Sequence, residues 1–266
     1  MSKKEDRQNQ IYDLLTNNEK LSVSELAQQL AVTPETIRTD LDALERNGLI
    51  TRGHGYARAV RNFVELPFDQ RRTAHLEDKK AVAWRAIAEI EDGMTVFLDA
   101  GTTLFSGLDL LQSKKDLTIV TNSLAVVEMV RRHLNFRILL VGGELFGTGK
   151  RCVGYFAEQM IEHIHFNLAI LGTDGLKDME GFGVWFPEEI GWERKVVENA
   201  DRIVLIADAS KFEHHNMYRS GSLDEVDLLI TNFIEDQVRD KVTEKVRLIE
   251  TDGQKERDTR KRKRKI

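Results

Sequence analysis

The sequence predicts an α/β main domain with a mostly parallel sheet, preceded by a small N-terminal winged helix-turn-helix domain. Two patterns carry this. Residues 79–250 alternate short apolar β-type runs with helical stretches, as in a sheet covered on both faces. Residues 6–60 show short helical periodicity closed by a Gly-rich stretch. Between them, residues 61–78 are polar and charged, contain Pro67, and read as a connector. A length of 266 residues also favours two domains over one. The expected divisions are therefore 1–60, a linker over 61–78, a main domain over 79–252, and a basic disordered tail over 253–266.

In the first domain, Ile11, Leu14 and Leu15 recur at i, i+3, i+4 and predict a helix over 6–18. Ser22 stands three residues before Glu25, the spacing of a capping box, and opens a helix that buries Leu26 and Leu30. Ala31-Val32 makes a tight break. Thr33 then caps a third helix, with Pro34 in its first turn. Ile37, Leu41 and Leu44 form its apolar stripe, and Asn47-Gly48 ends it. Leu49–Arg52 reads as a strand, and Gly53–Arg58 as a turn and return strand.

Three short helices with a minimal second break, followed by a hairpin, leave the third helix free to enter a DNA major groove. With the apolar stripe inward, Glu35, Thr39, Asp42 and Arg46 point away, and Arg38 lies on the flank. The wing over 50–61 carries Arg52, His54, Arg58 and Arg61 without an acid, where a wing meets phosphates. The expected DNA-binding residues are Thr33, Glu35, Thr36, Arg38, Thr39, Arg52, His54 and Arg58, and the expected partner is double-stranded operator DNA. One such domain covers little DNA, so self-association as a dimer or tetramer is expected.

In the main domain the strand-like runs are 94–98, 117–120, 136–141, 168–171, 202–207 and 227–230. Helical stretches lie near 80–91, 102–113, 123–133, 154–164 and 188–200. Ligands of open α/β sheets bind beyond the carboxyl ends of the strands. Here those ends are Asp99-Ala100-Gly101-Thr102-Thr103, Thr121-Asn122-Ser123, Gly142-Gly143, Gly172-Thr173-Asp174-Gly175 and Asp208-Ala209-Ser210-Lys211. Gly101-Thr102-Thr103 opens a helix straight after a strand, an arrangement that receives anions. Asp99 and Asp174 suit sugar hydroxyls, and Lys211 adds charge for a phosphate. The expected effector-binding residues are Asp99, Gly101, Thr102, Thr103, Thr121, Asn122, Ser123, Gly142, Gly143, Asp174 and Lys211.

Composition narrows the classes. Hydrophobic residues make up 41% and charged residues 31%, as in soluble globular chains. No run approaches the ~20 apolar residues of a membrane span, so no membrane partner is expected. The first residues, Met1–Asp6, lead into polar sequence with no apolar signal region. A single cysteine, Cys152, excludes an internal disulfide and reads as a packing residue. The expected compartment is the cytoplasm. Net charge is −5, yet residues 255–266 hold eight Lys/Arg against Glu256 and Asp258. That tail carries +6, which leaves −11 on residues 1–254, so bulk charge does not mark a nucleic-acid binder.

Rival sites fail. Gly143–Lys150 resembles a phosphate-binding loop, but Glu144 stands at the first required glycine and Arg151 at the Ser/Thr. Gly147-Thr148-Gly149 runs on to Cys152 and misses the dinucleotide fingerprint. His163/His165 and His214/His215 lack a third ligand nearby in sequence, so no metal is expected. Trp185 and Trp192 read as core or interface residues, and no cofactor is implied.

Ser24–Ala27, Thr36–Leu41 and Gly48–Arg52, followed by Leu98–Thr103, Val120–Ser123, Val141–Gly143, Gly172–Gly175 and Ala207–Phe212, resemble the DeoR family of bacterial transcriptional regulators. The likeness runs over about residues 6–232. It implies a repressor whose sensor domain is similar in fold to ribose-phosphate isomerase, with a phosphorylated sugar as inducer. Two positions depart. The family commonly has two arginines where this chain has Arg38-Thr39, and a lysine where it has Glu193, four residues after Glu189. A sugar-phosphate isomerase or deaminase with an added module is the alternative, with Asp174 or Glu189 as base. It leaves the winged helix-turn-helix unexplained, so no catalytic residue is expected.

Overall fold

The computed structural model describes residues 3–18, 20–46, 49–53, 55–59, 68–132, 136–146 and 150–251. The chain divides into two compact units, Met1–Ala74 and His75–Ile266.

The first unit contains α1 (Lys3–Asn17), β1 (Leu21–Ser22), α2 (Val23–Gln29), α3 (Pro34–Arg46), β2 (Ile50–Arg52), β3 (Tyr56–Ala59) and α4 (Phe68–Thr73). The capping box of α2 forms as its spacing predicts: Ser22 Oγ accepts from Glu25 N–H, and the Glu25 carboxylate accepts from Ser22 N–H. Thr33 Oγ1 accepts from Thr36 N–H at the start of α3. Ile11, Leu15, Leu26, Ile37, Leu41, Leu44 and Leu49 form one core. Asp40 is buried on α3, where Arg7 and Gln8 of α1 donate to it. The hairpin of β2 and β3 is antiparallel, and β1 adds a third strand on β3 that the sequence did not announce.

Two differences concern the connector. Residues 68–73 are helical, and the next helix begins at residue 76 rather than near 80. Polarity hid α4, because only Phe68 of its six residues is buried. Pro67, Arg61, His54, Asn47-Gly48, Gly147–Gly149 and the tail over 253–266 lie outside the described residues.

The second unit begins with α5 (Leu76–Ile87), β4 (Thr95–Leu98), α6 (Thr102–Phe105), β5 (Thr118–Thr121), α7 (Leu124–Val130) and β6 (Arg137–Leu140). It continues with β7 (Glu144–Phe146), β8 (Arg151–Val153), α8 (Tyr155–Glu162), β9 (Leu168–Leu171), β10 (Gly181–Val184) and α9 (Ile190–Glu198). Last come β11 (Ile203–Ile206), β12 (Tyr218–Ser222), β13 (Leu228–Asn232), α10 (Asp236–Thr243) and β14 (Leu248–Thr251). Seven strands make one sheet in the order β14-β13-β11-β9-β4-β5-β6. Every pairing in it is parallel.

The apolar runs form strands because both faces are covered. Along β9, Leu168 and Ile170 join one core with Val82 and Ala86 of α5, while Ala169 and Leu171 join the other with Trp192 and Val196 of α9. That alternation is the period-2 geometry of a strand. The stretch 102–113 is not one helix: it breaks into α6 and a 3₁₀ turn over Leu108–Ser113. Gly107 lies at the break, where a Cβ would come within 2.6 Å of the Ala83 Cβ. The antiparallel pairs β7–β8 and β10–β12 stand apart from the main sheet. Among the described residues, no helix is long and apolar enough to cross a membrane.

Candidate functional site

The loop after β4 is the centre of the candidate sensor site. Asp99 Oδ2 accepts from Gly172 N–H at 3.0 Å, and Oδ1 accepts from Ala100 N–H at 2.6 Å. These bonds tie the ends of β4 and β9 together. A Cβ at Gly172 would lie 2.9 Å from Asp99 Oδ2, so the approach needs glycine. Burial pushes the Asp99 carboxyl above its ordinary range, against the Gly172 and Ala100 bonds and nearby Arg151.

Thr102 and Thr103 follow, both buried at the start of α6. The leading amides of a helix have no intrahelical acceptor. Since α6 has only four residues, its dipole is small. The positive charge comes from elsewhere: buried Lys79 of α5 donates from Nζ to Thr102 Oγ1 at 3.3 Å. Lys79, Lys211 and His75 surround buried Asp208. Burial alone would raise the Asp208 carboxyl, but Lys79, then Lys211 and His75, bring it down to about 2. Burial, with Lys211 beside it, also lowers the pKa of His214. Lys79, Lys211 and His75 thus bring positive charge to the Asp208 carboxylate at this end of the loop.

The acidic side is made by α9, β8 and the turn after β9. Arg151 Nη2 donates to Glu189 Oε2 at 3.0 Å, and both side chains are buried. Arg151 also stacks over Phe146, 5.6 Å from the ring centroid. Asp174 Oδ2 accepts from Trp185 N–H at 3.0 Å. Glu193 is 2% exposed. Burial raises its pKa well above the ordinary range, and Asp99, Glu189 and Asp174 add to that, while the Ser220 hydroxyl acts against it.

The other expected effector residues sit differently. Thr121, Asn122 and Ser123 are fully buried, and their side-chain polar atoms are bonded within the fold apart from Asn122 Oδ1, which has no partner among the described residues. Ser123 Oγ caps α7 by accepting from Val126 N–H, and Thr121 Oγ1 accepts from Ser123 N–H. Asn122 Nδ2 donates to the Cys152 carbonyl, which anchors β8. Gly142 and Gly143 are exposed. A Cβ at Gly143 would meet the Val153 carbonyl at 2.4 Å, so its smallness serves the close pass of β8. Cys152 is buried, and burial raises its thiol pKa. Trp192 is core; Trp185 is half-buried.

In the first unit, the candidate DNA face of α3 is exposed at Glu35, Arg38, Thr39 and Asp42. Arg38 pairs with Glu35 at 2.9 Å. Thr39 Oγ1 donates to the Glu35 carbonyl. Arg52 pairs with Asp42 and lies 3.9 Å from Glu45. The wing itself lacks acids, yet α3 supplies them. Arg58 Nε donates to Thr51 Oγ1 at 3.0 Å across the hairpin.

Sequence reasoning missed three features of this arrangement. They are Lys79 beside the loop, buried Asp40 on α3, and Glu193, which the sequence showed only as a departure from the family pattern. A signal existed for two of them. Lys79 precedes Val82, Ala83 and Ala86, and Glu193 adjoins Trp192, Val196 and Val197, so each charge occupies an apolar stripe.

Comparison with known proteins agrees with this architecture. A family profile described as the DeoR-like helix-turn-helix domain matches residues 7–63, and one described as the DeoR C terminal sensor domain matches residues 74–232. The glycerol-3-phosphate regulon repressor of Escherichia coli is 33% identical over 231 residues, covering 86% of this chain and 91% of the relative. The HTH-type transcriptional regulator GlpR of Haloferax volcanii is 35% identical over 228 residues, covering 85% and 89%. Ribose 5-phosphate isomerase from Plasmodium falciparum superposes with a TM-score of 0.37 at 22% identity, covering 51% of this chain and 52% of that one. The chain belongs to the DeoR family of transcriptional regulators.

Proposed function

We propose that this protein is a repressor that reads operator DNA with α3 and its wing, and that a phosphorylated sugar bound in the second unit releases it. The observation that carries the effector half is Lys79 on Thr102, with Lys211 close by around Asp208. Two lysines, two hydroxyls and leading helix amides at one loop suit a phosphate, since charge-assisted bonds are the strong kind. Gly101, Thr102 and Thr103 would hold the phosphate, while Asp99, Asp174 and Lys211 would meet the remainder of the ligand. The buried Thr121-Asn122-Ser123 segment would support this loop. The relatives' names, which include a glycerol-3-phosphate regulon repressor, favour the same reading.

On the DNA side, Arg38 would leave Glu35 for a base or phosphate, and Thr33, Thr36, Thr39, Arg52, His54 and Arg58 would follow the backbone. Two copies would be required to span paired half-sites. A protein that reads operator DNA in this way would act in the cytoplasm.

The test begins with duplexes enriched from random sequence by the protein itself. A panel of sugar phosphates is then screened by thermal shift. A specific ligand at a hundredfold excess over Kd stabilises the folded state by about 2.7 kcal/mol. The ligand that raises the melting temperature should also weaken duplex binding. No stabilisation by any phosphorylated sugar, or no sequence-selective duplex, overturns the reading.

A further inference from the structure

The β6 end of the second unit carries an apolar surface that the sensor site does not use. Tyr155 and Phe156 open α8 at 68% and 75% exposed, with their rings 5.7 Å apart. Leu145 of β7 is 59% exposed, and Leu124 and Leu140 are each more than a third exposed. These residues lie around β8. Leu145 stands opposite Cys152 in the β7–β8 register, Leu124 N–H donates to the Lys150 carbonyl at 2.8 Å, and Tyr155 follows β8 after Gly154. The strand itself is held firmly. Cys152 N–H donates to the Asn122 carbonyl at 2.8 Å, and Asn122 Nδ2 donates to the Cys152 carbonyl at 3.0 Å. Among the described residues β7 pairs only with β8, and β6 ends the seven-stranded sheet, so both are edge strands.

We propose that this face seats a second copy of the chain across a two-fold axis. The inference rests on the repressor reading, which calls for two copies, and it names the surface that joins them. Area favours it. A whole aromatic side chain buries about 150–250 Å², so the two rings expose roughly 300 Å² between them. The three leucines raise the apolar total to about 500 Å², within the range of patches that mark interaction sites. A standard interface buries about 800 Å² per partner, and about 65% of it is apolar when the partners are copies. The patch supplies the apolar part of one such interface. Charge points to a copy rather than to a different partner. Glu144, opposite Val153, stands at one end of the β7–β8 pair, and Lys150, next to Arg151, stands at the other; both are exposed. A two-fold contact sets one patch against itself, so the patch must be self-complementary. When two such hairpins meet antiparallel, each Glu144 faces the partner's Lys150, with Leu145 between the charges. An acid at one end and a base at the other meet that requirement.

The experiment is sedimentation velocity of the full chain over a concentration series, without DNA or effector. The wild type should sediment as a dimer or a multiple of one. Tyr155→Glu/Phe156→Glu should sediment at half that mass, with association weakened about a hundredfold, as loss of central aromatic anchors does. Both side chains are exposed, so tryptophan fluorescence in urea should find the variant folded. Charge reversal gives a second reading that a folding defect does not imitate. Glu144→Lys and Lys150→Glu should each weaken association about fivefold. Glu144→Lys/Lys150→Glu should regain the wild-type strength, because both copies change together. A monomeric wild type, or a double aromatic variant of unchanged mass, overturns the proposal. A charge-swapped variant as weak as the single changes overturns it too. Duplex binding judges the repressor reading separately: a wild type that assembles through this face but selects no duplex overturns that reading and leaves the face standing.

Discussion

Arg38 and Arg52 in the first unit sit in ion pairs on an exposed face, whereas Arg151 and Lys79 in the second lie buried against their partners. The residue types are similar, but the consequences differ. An exposed pair is screened by salt and contributes about 0–1 kcal/mol, so it can be traded for a phosphate oxygen at small cost. A buried pair cannot be broken cheaply, because the surviving charge is left without solvent. One domain thus keeps its charge available for exchange, and the other fixes it in place around a loop.

The sharpest way to break this comparison is to remove one partner of the buried pair. Arg151→Met should lower stability by about 3–5 kcal/mol, because buried Glu189 loses its guanidinium partner. The double change Arg151→Met/Glu189→Leu should recover most of that loss. The three tryptophans, Trp84, Trp185 and Trp192, all lie beyond residue 75, so urea unfolding followed by their fluorescence reports the second unit. A single variant as stable as the wild type would refute the burial argument.

Asp208 and Glu193 give a finer test, because their pH signatures are opposite. The Asp208 carboxyl is depressed from 3.8 to about 2, so its contribution is present above pH 4 and vanishes as pH falls towards 2. Asp208→Asn should cost about 2 kcal/mol at pH 7 and much less at pH 2. Glu193 is raised from 4.5, so the folded state holds a proton that the unfolded state loses. Wild-type stability should fall as pH rises above 4.5, until the raised value is passed. Glu193→Gln should remove that slope, which is at most about 1.4 kcal/mol per pH unit. Difference curves of the same sign for both variants would contradict the two-sided picture of the loop.

The smallest stability effect belongs to the exposed face. Arg38→Ala should alter stability by no more than about 0.5 kcal/mol. If Arg38 reads a base, operator affinity should fall by about 1–3 kcal/mol, and a gel-shift titration checks it. If it touches only phosphate, the loss should be uniform across sequences and the salt slope should drop by about one.

The same contrast explains what was legible in the sequence. The two domains, the third helix and its cap, and the strand runs of the sheet follow from local rules: a Ser22–Glu25 box, a Thr33-Pro34 start, unbroken apolar runs. The small antiparallel pairs are less visible, because β10 and β12 are 33 residues apart between Val184 and Tyr218 and contain glycines with little periodicity. The loop Asp99–Thr103 was visible as a motif, but its chemistry was not. Lys79 comes from a helix 20 residues earlier than Asp99, and Glu193 from one far later, so only tertiary packing brings them to it. Thr121-Asn122-Ser123 has the composition of a ligand loop; Thr121 Oγ1, Ser123 Oγ and Asn122 Nδ2 bond to the fold, while Asn122 Oδ1 has no partner among the described residues.

The central claim is that an anion on the Lys79–Thr102 loop controls how the first unit holds DNA. The ligand must prefer one state of the protein, and moving it from 99:1 to 1:99 requires about 5.5 kcal/mol of preference. The direct measurement is affinity for an enriched operator duplex, with and without the stabilising sugar phosphate, in wild type and Thr102→Glu. A carboxylate at position 102 places negative charge where the phosphate would sit. The account predicts that both proteins bind the duplex equally without ligand, that ligand releases only the wild type, and that the variant stays bound. A Thr102→Glu protein that released DNA at the wild-type ligand concentration would contradict it.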